Sequence, residues 1–201
     1  MKDRLLVALV LMGIVAGAFA LHVFFLVPLL VCALGFWEWV PLSKNPSCTP
    51  WLRTAVPVVF FVIPAVSFLG LGDAQALVLV IVVALTDTLA YLVGRRYGRR
   101  KLAPSISPKK TWEGFLGAIF LAPALVTLAW LLLPVPSYFS FVHLFFLSLL
   151  SQMGDLMESK LKRHLNIKDT GTLLRGHGGI MDRVDGFILA APAAWFMAMV
   201  L

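Results

Sequence analysis

Ala74-Gln75-Ala76-Leu77-Val78-Leu79-Val80-Ile81-Val82-Val83-Ala84-Leu85-Thr86-Asp87-Thr88-Leu89-Ala90-Tyr91-Leu92-Val93-Gly94 carries one charged side chain, Asp87. A helix that crosses a bilayer needs about 20 mostly apolar residues, so this stretch reads as one span. Working outward, comparable runs cover Leu5 to Leu21, His22 to Val40, Trp51 to Leu71, Trp112 to Leu133, Tyr138 to Met153 and Phe187 to Leu201. The 201 residues are 60% hydrophobic and 13% charged, whereas soluble domains carry about 25% charged residues; one soluble core is excluded. The expected fold is all-α: a polytopic integral membrane protein of about seven transmembrane helices. It forms a single membrane domain over 1–201, with amino-terminal helices in 1–72, a core in 73–201, and cytoplasmic loops at 95–111 and 154–186. The apolar run from Leu5 to Val40 is too long for a signal-peptide core and is read as retained. It holds two short helices turning near Ala20, or one span and a re-entrant piece.

Short cytoplasmic loops collect Lys and Arg. With seven spans, all 17 Lys and Arg fall on one face: Lys2 and Arg4, then Lys44 and Arg53, then the stretches Arg95 to Lys110 and Lys160 to Arg183. The amino terminus is therefore expected in the cytoplasm, with the net charge of +7 on that side. Besides setting topology, such a face suits a polyanionic ligand. Cys32 and Cys48 lack metal-ligand spacing and receive no role.

Three places hold the polar chemistry. Asp87 lies seven residues before Gly94, about 10 Å below the inner end of its helix, where a carboxylate needs a wet cavity, a cation or a partner. Tyr91 and Arg95 follow on the same face. The loop Arg95 to Lys110 brings seven cations, and Ser107-Pro108-Lys109-Lys110-Thr111 leads into a helix start at Trp112-Glu113-Gly114. Cations and free helix-terminal N–H groups both attract phosphate oxygens. In the third region, Asp155, Glu158, Ser159 and Lys162 share one helical face, and Asp182 and Asp185 are spaced i, i+3 at the start of the last span. Carboxylates from two helices meeting at the membrane surface are what a Mg²⁺ site needs, with substrate phosphates and water completing the octahedron. The glycines of Gly176-His177-Gly178-Gly179 let backbone approach a phosphate closely.

The run from Ser159-Lys160-Leu161-Lys162-Arg163, through Lys168-Asp169-Thr170-Gly171, to His177-Gly178-Gly179-Ile180-Met181-Asp182-Arg183-Val184-Asp185 resembles the signature of the CDP-diacylglycerol synthase (phosphatidate cytidylyltransferase) family. Asp87 with Ala90-Tyr91 and Gly94-Arg95, and Ile106-Ser107-Pro108-Lys109-Lys110-Thr111 with Glu113-Gly114, are similar to further stretches of it. The likeness covers about the last 120 residues. Arg175 departs from it, standing where the family usually has proline, and the chain is shorter than typical members toward its amino-terminal end. The resemblance implies a dimeric membrane enzyme that converts CTP and phosphatidic acid to CDP-diacylglycerol and pyrophosphate with Mg²⁺, at a site facing the cytoplasm. It leaves room for K⁺ as a second cation and calls for no nucleic-acid partner. It points to Asp155 and Asp182 as metal ligands supported by Asp185, and to Lys160, Lys162 and Arg163 as the signature's basic run. Asp87, Arg95, Ser107, Lys109, Lys110, Thr111, Ser159, Lys168, Asp169, His177, Gly178, Gly179 and Arg183 are the expected substrate-binding residues.

Three rivals are weaker. An ion-coupled transporter built on Asp87 predicts inverted repeats or paired broken helices, which the sequence lacks. A CTP-using enzyme on another lipid, such as an ether-lipid cytidylyltransferase or a polyprenol kinase, fits the Asp182-Arg183-Val184-Asp185 ending less well. A noncatalytic scaffold has no need of carboxylates at two helix ends.

Overall fold

The computed structural model describes residues 25–132, 138–171, 173 and 178–200, together with Gly13 and Gly17. The expected first span, Leu5 to Leu21, lies outside the described residues but for those two glycines, as do Arg175 and His177. Helix α1 is Leu26–Leu42. Helices α2 (Pro50–Pro57) and α3 (Ile63–Leu69) join through a π-helical turn at Val58–Val62 into one rod, Pro50–Leu69. Pro64 has no N–H to give the turn before it, and the wider π turn falls directly ahead of that missing donor. Then come α4 (Asp73–Tyr97), strands β1 (Lys101–Ala103) and β2 (Ser107–Thr111), and α5 (Trp112–Leu132). The chain closes with α6 (Phe141–His164), the single turn α7 (Met181–Val184) and α8 (Phe187–Val200).

Among the described residues, three helices are long and apolar enough to cross a membrane: Pro50–Leu69, Asp73–Tyr97 and Trp112–Leu132. Leu26–Leu42 and Phe187–Val200 are apolar but shorter. Two features depart from the sequence reading. The basic stretch expected as open loop contains an antiparallel hairpin pairing Lys101 with Thr111 and Ala103 with Ser107. Helix α6 also runs past Met153 to His164, into the stretch expected as loop, and so carries Asp155, Glu158, Ser159 and Lys162 on the helix that their spacing called for.

Two clusters form the interior. Leu79 and Val82 of α4 pack with Leu144 and Leu147 of α6 and with Ala190, Ala191 and Ala194 of α8, all fully buried. Small residues on α8 let its backbone come close to the neighbouring helices. Within that layer the Thr86 hydroxyl donates to Val82 O (2.7 Å) and accepts from Ser148 Oγ (3.0 Å), so two buried hydroxyls are satisfied. The second cluster joins Trp39, Leu52, Phe60 and Phe61 to Leu161, Leu165, Met181 and Ile188. It ties the amino-terminal helices to the end of the molecule that holds the polar groups. Leu121, Leu125, Leu128, Leu131 and Leu132 of α5 point outward, a surface suited to hydrocarbon rather than water.

Candidate functional site

Helix α4 sets the floor of the site. Asp87 stands ten residues before its end at Tyr97, about 15 Å down the helix. Gln152 of α6 is 1% exposed and bridges two elements: its Nε2 donates to Asp87 Oδ1 (3.4 Å), and its Oε1 accepts from Lys110 Nζ (3.3 Å). Lys110 reaches onward to Asp155 Oδ2 at 2.5 Å.

The hairpin delivers that lysine. Glu113, in the first turn of α5, accepts the backbone N–H groups of Arg99 and Arg100, and Trp112 N–H donates to Arg100 O. Thr111 Oγ1 accepts the Gly114 N–H (3.2 Å), closing the helix start. At the other end Arg163 Nε donates to Ile106 O (3.1 Å), so α6 holds the hairpin's turn.

A cavity of about 390 Å³ opens between these elements, lined among others by Asp87, Arg95, Lys109, Lys110, Thr111, Asp155, Asp182 and Asp185. Eight of the residues expected from sequence thus share one space. Ser159 stands behind it, its hydroxyl 3.4 Å from Asp155 Oδ1. Arg95 Nη1 donates to the Tyr91 hydroxyl (3.1 Å). Other expected residues lie elsewhere. Ser107 opens β2 outside the cavity lining. Lys160 borders a separate cleft with Trp51, Phe60 and His164, Arg183 faces an apolar cavity beside Phe61 and Phe187, and Lys168 and Asp169 are exposed.

Asp155, Glu158 and Asp185 each bring a carboxylate oxygen within 4.8 Å of the others, a grouping able to hold one metal ion. Glu158 is fully buried. Lys162 Nζ lies 2.6 Å from its Oε2, and its Oε1 has no hydrogen-bond partner among the described residues. Burial, followed by the charges of Asp155, Asp87 and Glu158, pushes Asp185 well above the usual carboxylate range. A crowd of acids with a buried oxygen lacking a donor fits a hard cation that prefers oxygen ligands.

Asp182 is held differently. Its Oδ2 accepts from Thr170 N, Thr170 Oγ1 and Gly179 N at 2.8–2.9 Å, and its Oδ1 accepts from Lys162 Nζ at 2.7 Å. Gly178 takes a positive φ of 80°, and a Cβ there would press on the Asp182 carboxylate. Burial alone would raise Asp182, but the Lys162 hydrogen bond and the Gly179 and Thr170 N–H groups bring it down to about 2.

Sequence reasoning gave no role to Gln152 or Glu38 and did not name Glu158 as a metal ligand. Glu158 was visible on the acidic face of α6, whereas Gln152 sits in an apolar stretch and is marked only by being polar there.

Apolar helices ending in a cavity of carboxylates and cations define a helical membrane protein with a metal-capable site. The chain belongs to the cytidylyltransferase family, whose sequence model matches residues 51–201. It is 48% identical over 119 residues to a phosphatidate cytidylyltransferase of Bacillus subtilis (58% of this chain, 44% of that one). It is 36% identical over 160 residues to one of Mycobacterium tuberculosis strain H37Rv (79% and 48%), and 46% identical over 123 residues to one of Staphylococcus aureus strain COL (56% and 44%). The chain thus spans about half the length of the curated relatives it matches.

Proposed function

We propose that the protein is a phosphatidate cytidylyltransferase, joining CTP and phosphatidic acid to give CDP-diacylglycerol and pyrophosphate in phospholipid biosynthesis. The observation that carries this reading is the meeting of Asp87, Lys110, Asp155 and Asp185 from four separate segments in one cavity. The lipid phosphate is already anionic and needs no activated side chain; one of its oxygens attacks the α-phosphorus of CTP in line, and pyrophosphate leaves. What the protein supplies is position and charge. Lys109 and Lys110 hold the triphosphate, with Lys160, Lys162 and Arg163 contributing to the positive field around it. Arg95, which lines the cavity, takes the lipid phosphate.

Mg²⁺ is the metal this donor set suits, and it would neutralise charge on the phosphates. Asp155, Glu158 and Asp185 would hold it, with Asp182, on the same cavity, as a further ligand. A second, monovalent cation such as K⁺ belongs to the same proposal. So do a homodimer, about seven spans with the amino terminus inside, and a place in the cell's inner membrane with the cavity facing the cytoplasm.

The test is turnover by purified, detergent-solubilised protein given CTP, phosphatidic acid and Mg²⁺. Pyrophosphate and CDP-lipid are expected in equal amounts, both lost on chelation. Product from an ether-linked lipid alone would shift the assignment to that substrate, and no product from either would refute it.

A further inference from the structure

Glu38 is the one acid of α1, in an otherwise apolar helix, and it is 7% exposed. It lies outside the stretch that the family model matches. Among the described residues its carboxylate pairs with no cation. It accepts two backbone N–H groups from the far end of the chain: Leu173 N–H on Oε1 at 3.3 Å, and Ile180 N–H on Oε2 at 2.5 Å. Gly171 and Gly179 close around the same group. A Cβ on Gly171 would run into Oε1, and one on Gly179 would lie 2.5 Å from Oε2.

The segment so gripped is the one that dresses Asp182. Thr170, next to Gly171, gives Asp182 two hydrogen bonds, and Gly179, next to Ile180, gives it a third. Amides on both sides of the loop thus divide between two carboxylates, Glu38 behind and Asp182 in front. Backbone N–H groups withheld from water have to be paired, and a buried carboxylate is tolerated when it collects such donors. Trp39 adds a tether, its Nε1 donating to Arg53 O at 3.2 Å, which fixes α1 against α2.

We infer that Glu38 is a positioning residue, which by clamping the Leu173 and Ile180 amides holds Thr170 and Gly179 in place and so sets the Asp182 carboxylate at the mouth of the cavity. The inference rests on the proposed cytidylyl transfer for its kinetic consequence but not for its structural one. Glutamine keeps the shape of Glu38, yet it turns one acceptor into a donor facing an N–H. Aspartate keeps both acceptors but falls one methylene short.

Hydrogen–deuterium exchange and steady-state kinetics on the detergent-solubilised full chain test this together. In E38Q the amides of Thr170, Leu173, Gly179 and Ile180 should exchange about tenfold faster, the scale of losing one hydrogen bond to a charged group, while amides inside α4 keep their rates. In the same variant kcat should fall about tenfold or more and KM for CTP stay within about threefold, because Glu38 touches no substrate. G171A, which keeps Glu38 but pushes a methyl into its carboxylate, should show the same pattern, and E38D should recover part of both effects. Unchanged exchange at the four amides, or wild-type kcat in E38Q, overturns the inference. So does faster exchange throughout α4, which would make Glu38 a general prop of the fold. A wild-type chain that turns over no CTP would refute the proposed reaction, and the exchange data would still decide the clamp.

Discussion

Asp155 and Asp182 sit about the same cavity with opposite company. Asp155 meets Lys110 on one side and two further acids on the other, so its charge is matched to ligands arriving in the cavity. D155N should lower the Mg²⁺-dependent rate by about 10²-fold or more, the scale of removing one preorganised electrostatic contact, measured as pyrophosphate release. Asp182 is held by protein donors and contributes to folding as well. With its folded pKa lowered from 3.8 to about 2, its ionised form adds stability that is complete above the unfolded value and disappears as pH falls through about 2. The difference corresponds to about 2 kcal/mol. In the presence of a chelator, D182N should therefore unfold more readily than wild type near neutral pH and converge with it as pH drops toward 2, followed by thermal midpoints in detergent.

At the scale of elements, the hairpin is aimed by the close crossing of α4 and α5. Thr111 Oγ1 sits against Gly94, Gly98 and Gly114, and a Cβ on Gly114 would lie 2.5 Å from Ala90 O and 3.0 Å from Gly94 Cα. G114A must push the two helices apart where they launch the hairpin, at a cost of about 1–3 kcal/mol for overpacking. A lower thermal midpoint is expected, together with weaker CTP binding by calorimetry, since Lys109 and Lys110 ride on β2. The helices were legible beforehand because apolar length is a strong signal: Ala74 to Gly94 became Asp73–Tyr97, and Trp112 to Leu133 became Trp112–Leu132. The hairpin was not, because Ser107-Pro108-Lys109-Lys110-Thr111 has no apolar alternation and places a proline inside a strand, which only an edge strand tolerates. Most cavity residues could be named from sequence, since charge in an apolar chain is conspicuous. Glu38 could not, because its partners are backbone amides 135 and 142 residues away, and backbone amides leave no trace in residue type.

Over the whole molecule, the cavity's polar groups gather at one end of the long helices. Asp73–Tyr97 has 25 residues and so runs about 37 Å at 1.5 Å per residue, enough to cross a hydrocarbon core. Gly72 and Lys101, which flank that helix, are therefore expected on opposite sides of a membrane. The proposed orientation puts the cavity's cations on the cytoplasmic side, as the positive-inside tendency expects, where CTP would arrive. The orientation is open to direct test. After Cys32 and Cys48 are replaced, single cysteines at G72C and K101C can be exposed to a membrane-impermeant maleimide in right-side-out and inverted vesicles. K101C should label only in inverted vesicles and G72C only in right-side-out ones. The reverse pattern would turn the cavity away from CTP and undo the proposed reaction, whereas labelling of both positions from one side would mean that α4 does not cross the membrane.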